Sequence, residues 1–115
     1  MLEYAIGIFL VAAVGGLIMA LMIFKGKMAP WALSLLHMLL GATGLVLAGI
    51  ATMTIGGGVL MTALIVLLGA AVGGFYLASI HLDKDLAPRP AVVVHAMAGV
   101  GGVILLLIAL FSGPS

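Results

Sequence analysis

Two histidines stand in one local pattern, His37-x-x-x-Gly41-x-x-Gly44 and His95-x-x-x-Gly99-x-x-Gly102, at an offset of 58 residues. A neutral imidazole can ligate a metal, carry a proton or bond a carbonyl, so a matched pair has chemistry open to it that a single ring lacks. Positions i, i+4 and i+7 share a helix face, which puts each imidazole beside a stripe without side chains. Ser34 extends the first stripe by one turn. Such a stripe leaves room for a flat, bulky group or for another helix in close contact, and the two readings compete.

The offset governs more than the histidines. Ala12-Ala13-Val14-Gly15-Gly16 returns as Ala70-Ala71-Val72-Gly73-Gly74, and Ala29-Pro30 returns as Ala87-Pro88. Of the 57 pairs aligned this way without a gap, 17 are identical. We expect one domain over 1–115, made of two repeats, 1–57 and 59–115.

The elements that position the histidines follow from composition. Hydrophobic residues make up 66% of the chain and charged residues 6%, with a mean hydropathy of +1.52, which excludes an ordinary soluble domain. Four apolar stretches, Tyr4 to Phe24, Trp31 to Met53, Val59 to Leu82 and Ala91 to Phe111, each approach the ~20 residues that cross ~30 Å of hydrocarbon as a helix. The expected fold is an all-α membrane protein with four transmembrane helices, built as two tandem parallel-repeat helical hairpins about an axis along the membrane normal. No basic residue precedes the first stretch, so it reads as a span and not as a signal peptide.

Charge placement orients the spans. Lys25 and Lys27 lie between the first two stretches, Asp83, Lys84, Asp85 and Arg89 between the last two, and the loop from Thr54 to Gly58 has no charge. The positive-inside rule puts the basic loops in the cytoplasm and both termini on the opposite side, in what we expect to be a bacterial inner membrane. A net charge of +1 gives no case for nucleic acid. Without cysteine there is no disulfide, no thiolate metal site and no C-x-x-C-H haem attachment.

His37 and His95 each follow a proline, Pro30 or Pro88, by seven residues, about 10 Å along a helix, so they share a depth near the basic loops. From opposing helices they are expected to ligate one haem b per chain axially, with Gly41, Gly44, Gly99 and Gly102 relieving contacts with the ring. Arg89 and Trp31, with the lysines, lie at the end where propionates would need partners, and Tyr76 falls at a similar depth in the same pocket. The alternatives are imidazoles that only hydrogen-bond across helices, another metal, or a proton path.

His81 breaks the repeat, because its counterpart is Ile23. It reads first as a wet interfacial histidine, and otherwise as a propionate partner, a third ligand for zinc or copper, or a proton relay to a quinone. The eight methionines are scattered and read as apolar filler more than as copper(I) ligands. The two Ala-Ala-Val-Gly-Gly blocks point to close helix packing, the far end of the pocket, or dimerisation. Gly56-Gly57-Gly58 has no lysine and no strand before it, so it is a turn and not a phosphate loop.

With His37, His95 and their glycines on facing helices of a four-helix bundle, the chain resembles the b-type membrane cytochromes, the cytochrome b561-like group among them. It also looks like small bacterial membrane proteins with tandem H-x-x-x-G-x-x-G helices. The cytochrome resemblance implies bis-histidine haem and electron transfer, an electron carrier more than an enzyme, with a quinone or a respiratory complex as partner. Many of those families carry paired histidines along single helices and hold two haems. This chain has no histidine in its outer half, so one haem is expected. Two further classes are a non-redox structural or assembly subunit, including a homo-oligomer packed on its glycine faces, and a small channel or transporter. The last is disfavoured because no Asp, Glu, Lys, Arg, Asn or Gln lies within the spans after Glu3.

Overall fold

Prolines and glycines set the ends of the helices. The computed structural model describes Met1–Ser115 and contains α1 (Leu2–Phe24), α2 (Trp31–Ile55), α3 (Gly58–Leu82) and α4 (Arg89–Ser112). Pro30 and Pro88 stand immediately before α2 and α4 with φ of −58° and −61°. A fixed φ suits a helix entry, and the missing proline N–H is no loss where helical donors have no partner anyway. Between α2 and α3 the chain reverses through Gly56 and Gly57, at φ +77° and +102°, a conformation that side chains resist. The C-terminal tail closes over this turn, where the Val59 N–H donates to the Pro114 carbonyl at 3.1 Å.

The helices outrun the apolar stretches by one to two residues at several ends. At the end of α2 the reason is visible: the Thr54 hydroxyl donates to the Ile50 carbonyl at 2.8 Å, so a polar residue continues the helix with its own hydrogen bond satisfied. At 23 to 25 residues each helix runs about 35 Å, and all four are long and apolar enough to cross a membrane. Their outward faces carry Val11, Leu17, Ile65, Val72, Phe75 and Phe111, all exposed, so the helices are apolar all round and not amphipathic.

Each helix has two neighbours. α1 packs on α2 and α4, and α3 packs on α4 and α2, with the closer associations within the pairs α1–α2 and α3–α4. The helices that carry His37 and His95 are therefore diagonal across the bundle. The buried apolar cluster, which includes Leu2, Phe9, Ala48, Leu60, Leu67 and Leu106, sits in the half away from the basic loops. Alanine at positions 5, 48, 51 and 63 is fully enclosed there, which lets backbones approach closely. The half nearer the basic loops is less densely filled, and the histidines are in it.

Candidate functional site

Each histidine is fixed by its neighbour within the same helix pair. His37 Nδ1 lies 2.8 Å from the Ala12 carbonyl of α1, and His95 Nδ1 lies 2.8 Å from the Ala70 carbonyl of α3. A carbonyl oxygen only accepts, so Nδ1 carries the hydrogen and donates it; in the neutral ring Nε2 is then a bare lone pair. Metal-bound histidines are typically oriented this way, with the nitrogen away from the metal donating to a carbonyl or carboxylate. The two anchors are the same contact repeated at the offset of 58.

Glycine makes these anchors possible. A Cβ on Gly16 would lie 2.9 Å from His37 Cε1, and one on Gly74 would lie 3.1 Å from His95 Cε1. One turn beyond Ala12 and Ala70, these positions let each imidazole lie against the neighbouring helix backbone. The Ala-Ala-Val-Gly-Gly blocks thus supply a carbonyl acceptor and a cradle, a role that small-residue packing alone did not suggest. Their constant spacing to the histidines, 25 residues from acceptor to ring in both repeats, was the available signal.

Across the bundle diagonal the two rings approach to 6.1 Å between centroids, with their planes 80° apart. They adjoin a cavity of about 100 Å³ that Gly16, Gly74, Ser34 and His81 also line and that continues to Asp85 and Ala87 in the α3–α4 loop. In the other direction the apolar cluster of Phe9, Leu67 and Leu106 closes the bundle. The cavity lining thus runs from Asp85, Leu86 and Ala87 of the α3–α4 loop to His37 and His95.

The other residues singled out from sequence are distributed differently. Gly44 and Gly102 do not line this cavity; a Cβ there would meet the Phe9 ring at 2.9 Å and Leu67 Cδ2 at 2.5 Å, so they serve packing of α2 on α1 and of α4 on α3. A Cβ at Gly41 or Gly99 would meet nothing within 4 Å. The reason is axial: these positions share the histidine's helix face but lie one and two turns further along it, and by the second turn that face meets the Phe9 ring or Leu67 of the neighbouring helix. Arg89 donates to the Phe24 carbonyl at 2.9 Å and stacks over the Phe24 ring at 5.7 Å, joining α4 to the end of α1. Trp31 does not line the cavity but meets the ring of the cavity-lining His81 edge-on at 4.9 Å. Tyr76 is exposed and lines a separate groove on the outside of α3 and α4, with His95 at its inner wall.

Sequence reading placed His37 and His95 together, and the structure brings them together with His81 around one cavity. His81 does not close with the other two into a three-ligand metal cluster. No protein-family model, no curated protein and no solved structure matches the chain.

Proposed function

We propose that the chain is a small integral-membrane b-type cytochrome that holds one haem between His37 and His95 and carries single electrons. In this reading its two helical hairpins are tandem parallel repeats, its basic loops face the cytoplasm, and its electron partner is a quinone or another respiratory subunit. The observation that carries the reading is the separation of the rings. Two imidazoles that held one metal from opposite sides would have centroids about 6 Å apart, from a metal–nitrogen bond of about 2.0 Å and about 1.1 Å from nitrogen to ring centre on each side. The rings stand 6.1 Å apart with both Nε2 atoms free of hydrogen.

The donor set suits haem: two neutral nitrogens, no third ligand to compete, and backbone carbonyls that hold each ring in one tautomer. The cavity itself, at about 100 Å³, is smaller than the ~150 Å³ that encloses a benzene, so a porphyrin does not fit it as it stands and would need the cavity-lining Met19, Met38 and Leu77 to move aside. Methionine is the side chain most easily moved aside. Haem supplies a one-electron couple when bound. The protein supplies orientation through Ala12 and Ala70, and exclusion of water from one side through the Phe9–Leu67 cluster.

A second reading, a structural subunit or homo-oligomer, is favoured by Gly41, Gly49, Gly69, Gly99 and Gly101, whose faces meet nothing within 4 Å. One experiment separates the two. The full chain, expressed with adequate haem and purified in detergent, is examined by reduced-minus-oxidised spectroscopy and pyridine haemochrome assay. A low-spin b-type spectrum at about one haem per chain, lost in His37→Ala and in His95→Ala, supports the cytochrome. A folded, colourless chain that takes up no added haem rejects it.

A further inference from the structure

The methionines, scattered along the sequence, are not scattered in space. Most of the lining of the histidine cavity falls into pairs at the offset of 58, such as Gly16 with Gly74 and His37 with His95. Where two paired positions both line it and differ, the first repeat twice brings sulfur: Met19 answers Leu77, and Met28 answers Leu86. Met38 joins them, while its counterpart Ala96 is not in the lining. Three thioethers thus share one cavity with two imidazoles, whereas Met53, Met61 and Met97 are exposed on the outside of the bundle. Leucine and methionine exchange at little cost in packing, so filling the space does not by itself call for sulfur.

The imidazoles are prepared for a small occupant. Each Nδ1–H is spent on a carbonyl, Ala12 or Ala70, which leaves Nε2 as the donor atom, and this is the outer bond that orients histidine toward a metal. Gly16 and Gly74 lie against the two Cε1 atoms and hold the rings in that setting. An ion bonded to both Nε2 atoms stands about 3.1 Å from each ring centre, from a bond of about 2.0 Å, so rings with centroids 6.1 Å apart are within reach of one ion. A cavity of about 100 Å³ takes a bare ion without any side chain leaving its place, since a whole water occupies about 30 Å³.

We propose that the haem-free chain binds one copper(I) ion here, with His37 and His95 as nitrogen ligands and the thioethers of Met19 and Met38 as the soft donors that complete the site. Imidazole suits copper, and thioether selects its monovalent form. Zinc asks for three or four nitrogen, sulfur or carboxylate ligands, and no third histidine or carboxylate closes with this pair. Every donor in the set is neutral. Charge within a membrane span is costly, so a site that supplies no negative ligand favours a monovalent ion over a divalent one. Copper(I), with its filled d shell, is also stable with few ligands.

A way in is present as well. Met28 belongs to the loop before α2, is 36% exposed, and lines the same cavity as Met19 and the histidines, so thioethers are available from the surface inward. The inference goes beyond the cytochrome reading and does not rest on it. Ion and haem would use the same two nitrogens, so either occupant excludes the other, and only haem requires the cavity to open.

The test uses the full chain, purified in detergent without haem and titrated with copper(I) under excess ascorbate against the chelator bicinchoninate. One copper(I) per chain is expected to be retained, and retention is expected to be lost in His37→Ala and in His95→Ala. Gly16→Ala, which pushes the His37 ring off its carbonyl, is expected to weaken binding by about 10–100-fold, the usual effect of losing an orienting bond behind a ligand. X-ray absorption of the copper-loaded chain is expected to show nitrogen at about 2.0 Å and sulfur at about 2.3 Å. The conservative double variant Met19→Leu with Met38→Leu is expected to fold and to lose the sulfur shell. A folded chain that yields all its copper to the chelator overturns the proposal, as does copper retained equally by both histidine variants; a sulfur shell that persists in the double variant overturns the thioether assignment. Haem plays no part in these readouts: a chain that takes up haem but no copper(I) sinks this inference and leaves the cytochrome, and the opposite result does the reverse.

Discussion

Gly16 lies so close to His37 that a single added carbon would stand 2.9 Å from the imidazole Cε1. The ring cannot swing aside without giving up its hydrogen bond to Ala12, so the contact is rigid on both sides. Gly16→Ala is expected to cost about 1–3 kcal/mol, as overpacking does, and, on the cytochrome proposal, to weaken haem binding through His37. Gly74→Ala, at 3.1 Å from the equivalent atom, is expected to act in the same direction with a smaller effect. Gly15→Ala is the control, because its Cβ would meet only Leu33 at an ordinary 3.7 Å. Thermal unfolding in detergent and haem titration of the three variants check the ranking.

A second pair of glycines does structural work away from the histidines. Ala at position 102 would press on Leu67 Cγ and Cδ2 at 2.5 Å, in a place where Leu67 is only 3% exposed and has little room to rotate. Gly102→Ala alone is expected to lower stability by about 1–3 kcal/mol, and adding Leu67→Ala is expected to return part of that loss, since contacting residues couple. A double-mutant cycle by thermal unfolding measures the coupling. Strict additivity would show that α4 does not rest on Leu67 as described.

Arg89 separates a fold role from a cofactor role. Its guanidinium caps the Phe24 carbonyl at the end of α1 and lies over the Phe24 ring, so Arg89→Ala is expected to cost about 1 kcal/mol, with loss of one charge-assisted hydrogen bond and one exposed cation–π contact. The visible spectrum of haem-loaded chain is expected to be unchanged. A large loss of haem with no change in melting temperature would reassign Arg89 to the haem propionates.

The helices were legible from the sequence because apolar length and proline placement are local. Pro30 and Pro88 marked the starts of α2 and α4, and equal spacing from them put the histidines at one depth. The site was legible only in outline. That Gly44 and Gly102 turn toward Phe9 and Leu67, while Gly16 and Gly74 cradle the rings, depends on which flank of α2 meets α1 and which of α4 meets α3. Helices that are apolar all round carry no stripe to reveal that rotation. The same lack of a polar face left Tyr76 placed by depth alone, and depth does not distinguish the inside of the bundle from the outside groove it occupies.

Closure of the bundle beyond the histidines leads to a last prediction, about transport. Phe9 and Leu67, 8% and 3% exposed, occupy equivalent positions in the two repeats and fill the diagonal beneath the cavity together with Leu106. Water and protons have no polar atom to follow there, so vesicles containing the chain are expected to dissipate an imposed pH gradient no faster than protein-free vesicles. Phe9→Ala is expected to destabilise the fold by about 3 kcal/mol yet keep the seal, because an apolar cavity stays dry. Leu67→Asn introduces donors and acceptors at the same level and is the change expected to admit water and leak. A wild-type chain that conducts protons would show that the apolar cluster is not a barrier, and would favour a channel over an electron carrier.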